Sequence, residues 1–415
     1  MAESNMRDIT QKDISSDTRN EVRNIIFQLI KDSLFPDQCK ESVLKGDYDW
    51  NAVFWEMQHQ TVQALPWEQL LKNTISDDVL YNKWYMSCVL NRSRWVQILC
   101  EQTELLGLLE KSSIRCVIIK GAAAAMAYPQ PLLRAVGDID FLVSRANYER
   151  TAQVLENNGY RLLAEKDSKH HHYEYIKNGV IFELHKRLAI ISETDEDLLS
   201  LFEEGINNRE LKRIESHAFP VLPPKLNGLV LMFHINQHLR SGLGLRHIID
   251  WMMYLEEQGG IQELIPLLKQ TNMYRLAITV TLIGQRYLGA QKYIQDTGGY
   301  PCDELLEYIF AKGNFGRKGA EEGKITSVVL VSGNPLRFFR RLQAGGLHRW
   351  HAARKYRILK PFAWAYQFVR ITRHLVRNRI NPIKLYKLKK IGEEERELII
   401  ELGLDIDRMI KTEQK

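Results

Sequence analysis

Two short apolar runs, 116–119 and 138–143, constrain the fold of this chain more than any other feature. The first run is followed by Lys120, and the second begins with Asp138 and Asp140. Side chains two residues apart on a β-strand share a face, so a strand at 138–143 would point both carboxylates in one direction. Adjacent carboxylates repel each other unless a proton or a cation bridges them, and Mg²⁺ or Mn²⁺ with substrate phosphates is the natural bridge for oxygen ligands. The pattern favours a metal–phosphate site at the end of a strand.

The composition predicts a soluble globular protein with two or three domains. The chain has 415 residues, of which 45% are hydrophobic and 26% are charged, which is ordinary for a globular protein. Its five cysteines are scattered and form no C-x-x-C motif, so we expect a reduced, cytoplasmic setting and no zinc or redox motif built on cysteine. The polar residues 1–17 predict no signal peptide, and no apolar run reaches the roughly 18 residues of a membrane span.

The hydrophobic periodicity changes along the chain and predicts its organisation. Helical spacing dominates 18–112, whereas 113–190 combines short apolar runs with turn signals. There, Asn178-Gly179 separates two strand-like runs and predicts a β-hairpin. The predicted fold class is α+β, with a small mixed β-sheet core flanked by N-terminal and C-terminal helical domains. The predicted parts are an N-terminal helical region (1–112), the α/β core (113–220), a helical domain that packs on the active site (221–311) and a basic helical region (312–415).

Basic residues accompany the two aspartates. Gly121 would permit a tight strand-to-helix turn and let backbone N–H groups approach an anion, helped by the following helix N-terminus. Lys120 could reach a phosphate as a point charge, and Arg134 lies in the loop that enters the same site. Basic groups beside paired carboxylates suit a triphosphate held by a metal ion. The alternative is that Asp138 and Asp140 are surface residues at a strand end.

Glu183 is the candidate for a third carboxylate, which assistance by two metal ions would require. It interrupts the apolar run 180–185, where a charge without a partner is costly. The alternative is an edge-strand glutamate that faces solvent. His185 shares its face and could bind phosphate or orient Glu183, with a purely structural histidine as the equal alternative.

Other polar groups follow the core. His234 and His238 are four residues apart on one helix face, a spacing that permits zinc ligation, but the sequence shows no third ligand, so we favour packing beside the phosphate site or in the core. Arg246 is a candidate phosphate or base contact, with an ion pair to Asp250 as the equal alternative. The three histidines at 170–172 cannot bind one ion together, because consecutive residues of a strand face opposite ways.

The segment 335–390 is strongly basic. It holds sixteen Lys and Arg residues and no Asp or Glu, so the rest of the chain carries a formal charge of about −10 although the whole chain is +6. Aromatic residues are interleaved with the cations. The segment is suited to a polyanion, either nucleic acid or an anionic membrane surface. The alternative is a solvated basic helix face whose aromatic residues belong to the core.

The residues Ile119-Lys120-Gly121, Arg134 and 137–143 together resemble the polymerase-β-type nucleotidyltransferases. Within them the chain is similar to the uncharacterised nucleotidyltransferase family, related to the AbiEii/MenT-like toxins. The resemblance extends over roughly 85–260 and includes Leu222-Pro223-Pro224, the helix of His234 and His238, and the residues from Gly244 to Trp251.

This resemblance implies metal-dependent transfer of a nucleoside monophosphate from a nucleoside triphosphate to an acceptor, with release of pyrophosphate. Asp138, Asp140 and Glu183 would hold Mg²⁺ or Mn²⁺, and Lys120 and Gly121 would match the turn that cradles phosphate. One departure is the Lys-Gly-Ala sequence at that turn, where the superfamily usually has Gly-Ser or Gly-Gly, so that Lys120 must replace a hydroxyl contact. The acceptor is left open among RNA, a protein side chain and a small molecule.

Two alternatives belong to other functional classes. An Asp-x-Asp pair also holds Mn²⁺ and a nucleotide sugar in glycosyltransferases, but that fold would need several βα units before the pair. The second alternative is a non-catalytic protein that binds RNA or a membrane surface through 335–390.

Overall fold

The computed structural model describes residues 16–36, 48–67, 75, 77–163, 172–188, 190–239, 241–316, 318, 335–377 and 382–405. The α-helices are α1 (Ser16–Leu34), α2 (Trp50–Gln60), α3 (Asp78–Lys111), α4 (Gly121–Ala125), α5 (Tyr148–Asn157), α6 (Glu196–Asn207), α7 (Pro224–His238), α8 (Leu245–Gln258), α9 (Ile265–Gln270), α10 (Tyr274–Tyr287), α11 (Cys302–Lys312), α12 (Pro335–Arg349), α13 (His351–Lys355), α14 (Ala363–Arg377) and α15 (Pro382–Glu401). The strands are β1 (Cys116–Ile119), β2 (Asp138–Val143), β3 (Arg161–Leu162), β4 (His172–Lys177), β5 (Val180–His185), β6 (Glu210–Ile214) and β7 (His217–Val221). The Gly-rich residues 312–336, which the sequence favours as a loop, lie mostly outside the described residues.

The strands form one mixed, seven-stranded sheet in the order β3-β4-β5-β2-β1-β7-β6. β1 pairs antiparallel with β2 and parallel with β7, and β2 pairs parallel with β5. Helices precede and follow the sheet in the chain. The predicted α+β class, a small mixed sheet flanked by helices, is confirmed.

The predicted hairpin at Asn178-Gly179 is also confirmed. It joins β4 to β5, and both turn residues adopt positive φ, at 50° for Asn178 and 74° for Gly179. Two consecutive left-handed residues make the type I′ turn that matches the twist of a hairpin. The turn therefore sets the register that carries Glu183 and His185 on β5.

The sequence reading missed α6, β6 and β7. The last strand contains Pro220, and proline removes a ladder N–H donor, which argues against a position inside a sheet. β7 nevertheless lies between β1 and β6, because Val221 pairs with Ile118 while Pro220 faces Leu211 on the edge strand. Local propensity did not indicate this pairing, since its partner lies about a hundred residues earlier in the chain.

Helix α3 joins the helical part of the protein to the sheet. Asp77 caps its N-terminus by accepting hydrogen bonds from the backbone N–H groups of Val79 and Leu80. Its first half buries Trp84 in the apolar core of the helical part, and its second half buries Trp95 in the core of the sheet. With 34 residues the helix is about 50 Å long, enough to span both cores.

The core of the helical part combines segments that are far apart in the sequence. It contains side chains from α1 and α2, from α7 to α11, and from the end of the chain at 398–404. The N-terminal helices and the helices after the sheet therefore bury their apolar faces against one another. The four-part division predicted from the sequence remains a prediction, with α3 as the element that enters both cores.

The basic C-terminal region contains a close helix pair. A Cβ at Gly346 of α12 would lie 1.8 Å from the backbone oxygen of Ala363 at the start of α14, so the pair can approach this closely only with glycine. The last helix, α15, is tied to α11 by the Lys312–Glu395 ion pair at 2.6 Å. Within the described residues, no helix is both long and apolar enough to cross a membrane.

Candidate active site

Three of the predicted site residues meet on one face of the sheet. The parallel register of β2 and β5 places Asp140 beside Glu183. His185 Nε2 lies 3.0 Å from Asp140 Oδ1 and 3.2 Å from Glu183 Oε2. One ligand-type atom from each of the three residues lies within 4.8 Å of the others. The backbone pairing of two strands thus brings two carboxylates and an imidazole together.

Lys120 adds a cation to this group from the turn between β1 and α4. Its Nζ donates to Asp140 Oδ1 at 2.6 Å and lies 3.7 Å from Glu183 Oε2. Ile119 pairs with Asp140 across the β1–β2 ladder, which brings the next residue, Lys120, to the carboxylate end of β2. The predicted closeness of Lys120 to the carboxylates is what the structure shows.

The turn does not require the conformational freedom of glycine at position 121. The left-handed residue of the turn is Lys120, with φ 54° and ψ −127°, a conformation that costs a non-glycine residue about 1–3 kcal/mol. A Cβ at Gly121 would meet only the Asp138 carbonyl oxygen at 3.6 Å, an ordinary contact. The helix that follows has five residues, too few to supply the expected helix-dipole contribution, so the positive charge here comes from the ammonium of Lys120.

The charges on this face stabilise one another. Burial opposes ionisation of Glu183, but the hydrogen bond from His185 and the charge of Lys120 hold the pKa of Glu183 well below its ordinary value. Burial would also lower the pKa of Lys120, yet Asp140 and Glu183 raise it above the usual range. Burial and the charge of Lys120 lower the pKa of His185. Asp140 and Glu183 act in the opposite direction, and the net result is a pKa above the ordinary value. Within this cluster, the charge of Lys120 therefore favours the ionised form of Glu183, and the carboxylates favour the charged form of Lys120.

Asp138 lies on the same strand face as Asp140 but outside this hydrogen-bonded group. Burial and the charge of Asp140 raise the pKa of Asp138, although Lys120, Arg246 and Arg134 act in the opposite direction. Asp138 has no ion pair within the described residues. A buried carboxylate beside a second one gains most from a further cation. The ligand-type atoms that lie close enough together to share one ion here are those of Asp140, Glu183 and His185, and Asp138 is outside that group.

Arg134 forms a buried ion pair with the helical layer. Its Nε and Nη2 atoms each donate to the Asp250 carboxylate at 2.7 Å, and the hydroxyl of Tyr128 donates to the same carboxylate at 2.7 Å. Both charged side chains are only 2% exposed. The structure thus places Arg134 near the site, with its guanidinium bound to Asp250 on α8.

Because Asp250 pairs with Arg134, the nearby Arg246 has no carboxylate partner among the described residues. The Arg246–Asp250 pair considered from the sequence does not form, because Asp250 pairs with Arg134. Arg246 makes no ion pair among the described residues; its Nε is buried without a hydrogen-bond partner, and its Nη1 lies 3.5 Å from the backbone oxygen of Ala135. Burial and the neighbouring Arg134 lower the pKa of Arg246. An anionic ligand would stabilise a partly buried guanidinium that lacks a carboxylate partner.

Helix α3 supplies contacts that the sequence reading did not identify. Arg94 donates to the backbone oxygens of Gly137 at 2.6 Å and Gly179 at 3.1 Å. Trp95 Nε1 donates to the backbone oxygen of Arg134 at 2.6 Å. Through these hydrogen bonds, α3 contacts both the loop before β2 and the β4–β5 turn. No local motif marks the two residues, because their partners lie 39 to 85 residues further along the chain.

The histidines divide into two groups. His172 lies against the carboxylate cluster, with its ring centroid 5.1 Å from that of His185, while residues 170 and 171 lie outside the described part of the chain. The predicted pair His234 and His238 is joined by His247, which the sequence reading missed. The spacing of His234 and His238 on one helix gave no indication of His247, because His247 belongs to the next helix.

A narrow cleft lies between the sheet site and α7. It is lined by Lys120, His185, Leu188, Ile190, Val230, Phe233, His234 and Gln237. One wall carries charge from the sheet, and the other is largely apolar and comes from α7. Such a mixture, an apolar wall with a few convergent polar groups, is typical of small-molecule sites.

The buried position of Arg134 predicts that its substitution destabilises the fold. Arg134→Leu would leave Asp250 buried without its cation, so we expect the free energy of unfolding to fall by about 3–5 kcal/mol. The matched control, Arg145→Leu, breaks an exposed pair with Glu196 and should cost no more than about 1 kcal/mol. Urea denaturation measures both. An Arg134→Leu protein as stable as the control would show that the ion pair does not hold the helical layer on the sheet.

Comparison with known proteins supplies the family. No curated protein matches this chain. A family model described as "Uncharacterised nucleotidyltransferase" matches residues 46–289, more than half of the chain. The matched span includes the carboxylates of β2 and β5, Lys120, and both arginines. The chain belongs to the uncharacterised nucleotidyltransferase family.

Proposed function

We propose that this protein transfers a nucleoside monophosphate from a nucleoside triphosphate to an acceptor hydroxyl and releases pyrophosphate. The observation that carries the proposal is the group formed by Asp140, Glu183 and Lys120, with Asp138 beside it on β2. Carboxylates for a metal ion next to cations for phosphates form the arrangement that phosphoryl chemistry needs. The proposal includes the relation to polymerase-β-type enzymes and to the AbiEii/MenT-like toxins that the motifs suggest.

The metal requirement is part of this proposal. Asp138, Asp140 and Glu183 would hold Mg²⁺ or Mn²⁺. When bound, such an ion would neutralise phosphate charge and stabilise the attacking and leaving oxygens. The donor set supports it, since the carboxylates of Asp140 and Glu183 lie together and Asp138 is on the same strand face as Asp140.

The chain's own residues would orient the substrate. Lys120, which lines the cleft and pairs with Asp140, would place positive charge at the phosphates. His185, with its proton shared between Asp140 and Glu183, would fix both carboxylates in one geometry. Gly121 keeps the turn beside Lys120 free of a side chain. Arg134 would act through Asp250 by positioning the loop that leads into β2.

Asp138→Asn and Asp140→Asn test the site itself. Each removes one negative oxygen ligand with little change in shape, so transfer of α-labelled nucleotide should fall by about a hundredfold or more. The control is Glu196→Gln, a substitution of an exposed carboxylate on α6. Activity is measured with each of the four triphosphates, Mg²⁺ or Mn²⁺, and RNA, protein and small-molecule acceptors. Full activity in either Asn variant, with wild-type thermal stability, would overturn the assignment.

Arg246 is expected to bind phosphate, in contrast to Arg134. Because Arg246 has no carboxylate partner among the described residues, Arg246→Gln should leave the free energy of unfolding unchanged or higher. The same variant should weaken triphosphate binding by about tenfold or more, as expected for a lost charge-assisted hydrogen bond. Calorimetric titration with a non-hydrolysable triphosphate measures this. Unchanged affinity would remove Arg246 from the site.

The glycosyltransferase alternative has no specific support in the fold. It would need several βα units before the aspartate pair. Among the described residues that precede β2, β1 is the one strand. We therefore do not propose it.

The basic C-terminal region suggests a partner for the enzyme. Tyr356 (54% exposed), Ile358 (80% exposed) and Phe362 (58% exposed) project from one turn, next to Arg357 and Lys360, which are also exposed. Aromatic and aliphatic side chains surrounded by cations are suited to the interface of an anionic membrane. These exposures disfavour the alternative in which such side chains belong to the core. We propose that this turn contacts an anionic membrane surface.

Vesicle sedimentation tests that contact. The full chain should bind vesicles with anionic lipid more strongly than neutral ones, and binding should weaken with salt. Ile358→Glu should reduce binding strongly, whereas Leu211→Glu, which alters a residue 72% exposed on β6, should not. Binding to RNA that depends on Arg357 and Lys360, without vesicle binding, would contradict the proposal.

A further inference from the structure

Three histidines converge at the junction of α7 and α8. His234 and His238 come from α7, and His247 comes from the first turn of α8. Their ring centroids are separated by 4.4 to 4.8 Å. One nitrogen from each ring lies within 4.8 Å of the other two. The nitrogens are therefore close enough to share a single ion after small shifts, since ligand nitrogens of zinc lie about 2.0–2.1 Å from the metal.

The outward nitrogens of two rings already have partners. His238 Nδ1 lies 3.3 Å from the hydroxyl of Ser241, and His247 Nδ1 lies 3.3 Å from the backbone oxygen of Gly244. A histidine that donates from Nδ1 to an oxygen keeps the lone pair of Nε2 for a metal, which is the usual outer arrangement around metal-binding histidines. The backbone N–H of Gly244 also lies 3.3 Å from His247 Nδ1, so ligation requires the tautomers in which the protons of His238 and His247 are on Nδ1 and are donated to the oxygens of Ser241 and Gly244.

Among the described residues, the Nε2 atoms of the three rings make no hydrogen bond to a residue outside the group. His247 Nε2 is buried and has no hydrogen-bond partner, and His247 is only 1% exposed. His234 Nε2 and His238 Nε2 lie 2.9 Å apart and have each other as hydrogen-bond partner. A buried polar atom without a partner costs about 1–3 kcal/mol. An ion at the centre would satisfy all three nitrogens at once.

His238 and His247 are buried, and the neutral imidazole is the form that binds a metal. Phe315 covers the group, with its ring centroid 4.8 Å from that of His238. Its segment packs against the α7–α8 turn, where a Cβ at Gly242 would meet Gly316 N at 2.1 Å. The turn and its cover therefore form a close-packed frame around the rings.

We propose that His234, His238 and His247 form a site for one divalent transition-metal ion of the zinc class. Three neutral imidazoles select such an ion over Mg²⁺, which prefers oxygen ligands. The site is separate from the carboxylate site and does not depend on the proposed function. Three protein ligands leave a position for a water or a substrate atom, and His234 lines the cleft that also contains Lys120 and His185.

Cobalt provides the direct test. Untagged full-length protein is stripped with chelator and titrated with Co²⁺, whose visible d–d absorption reports nitrogen ligands and geometry. With excess Mg²⁺ present to occupy the carboxylate site, we expect one Co²⁺ per chain with nitrogen-ligand absorption, displaced by Zn²⁺. Failure of the wild-type protein to bind Co²⁺ would overturn the proposal.

Variants locate the ion. His247→Ala should weaken Co²⁺ binding by more than about tenfold, whereas His217→Ala should not, because that ring is hydrogen-bonded to Thr103 on α3. His247→Asn, which keeps a buried polar group of similar size, serves if the alanine variant does not fold. Asp140→Asn should leave the absorption unchanged. If Asp140→Asn abolishes it, or if both His247 variants retain it, the ion lies elsewhere and the proposal is wrong.

Discussion

The parallel pairing of β2 with β5 is the constraint on which the site depends. It sets Asp140 next to Glu183, with Asp140 only 4% exposed. Two carboxylates in such a place are tolerated only with positive partners, because burial favours their neutral forms. Lys120 and His185 are those partners. The backbone strain at Lys120 is explained by this requirement, since the turn at φ 54° carries its ammonium to the carboxylates.

A second buried charge pair joins the sheet to the helices above it. Arg134 leads into β2, and Asp250 belongs to α8, so the bidentate bond between them fixes α8 relative to the carboxylate strand. The same bond leaves Arg246, one turn earlier on α8, without a carboxylate. One arginine is therefore bound to a carboxylate, and the other makes no ion pair among the described residues. Arg134 and Arg246 both lie near Asp250, but only Arg134 forms an ion pair with it.

The helical layer also determines what the cleft can contain. α7 contributes the apolar wall through Val230 and Phe233 and a polar corner through His234. The three-histidine group extends that corner away from the sheet, under the cover of Phe315. Lys120 and His185, which contact the carboxylates, line one side of the cleft, and His234 of the histidine group lines the other. This division follows from the fold, because the carboxylates belong to strands and the histidines to helices.

Much of this protein was determined by the sequence alone. Local patterns predicted β1, β2 and the hairpin, since hydrophobic runs and an Asn-Gly turn act within a few residues, and the α+β class followed from them. The spacing of Asp138 and Asp140, with Lys120 upstream, indicated the site. Only the tertiary structure decided which charges pair: Arg134 with Asp250, and Lys120 with both Asp140 and Glu183. It also decided that His247 completes a histidine group and that β7, despite its proline, lies inside the sheet. These outcomes depend on contacts between distant segments, whose energies arise only when burial brings the partners together.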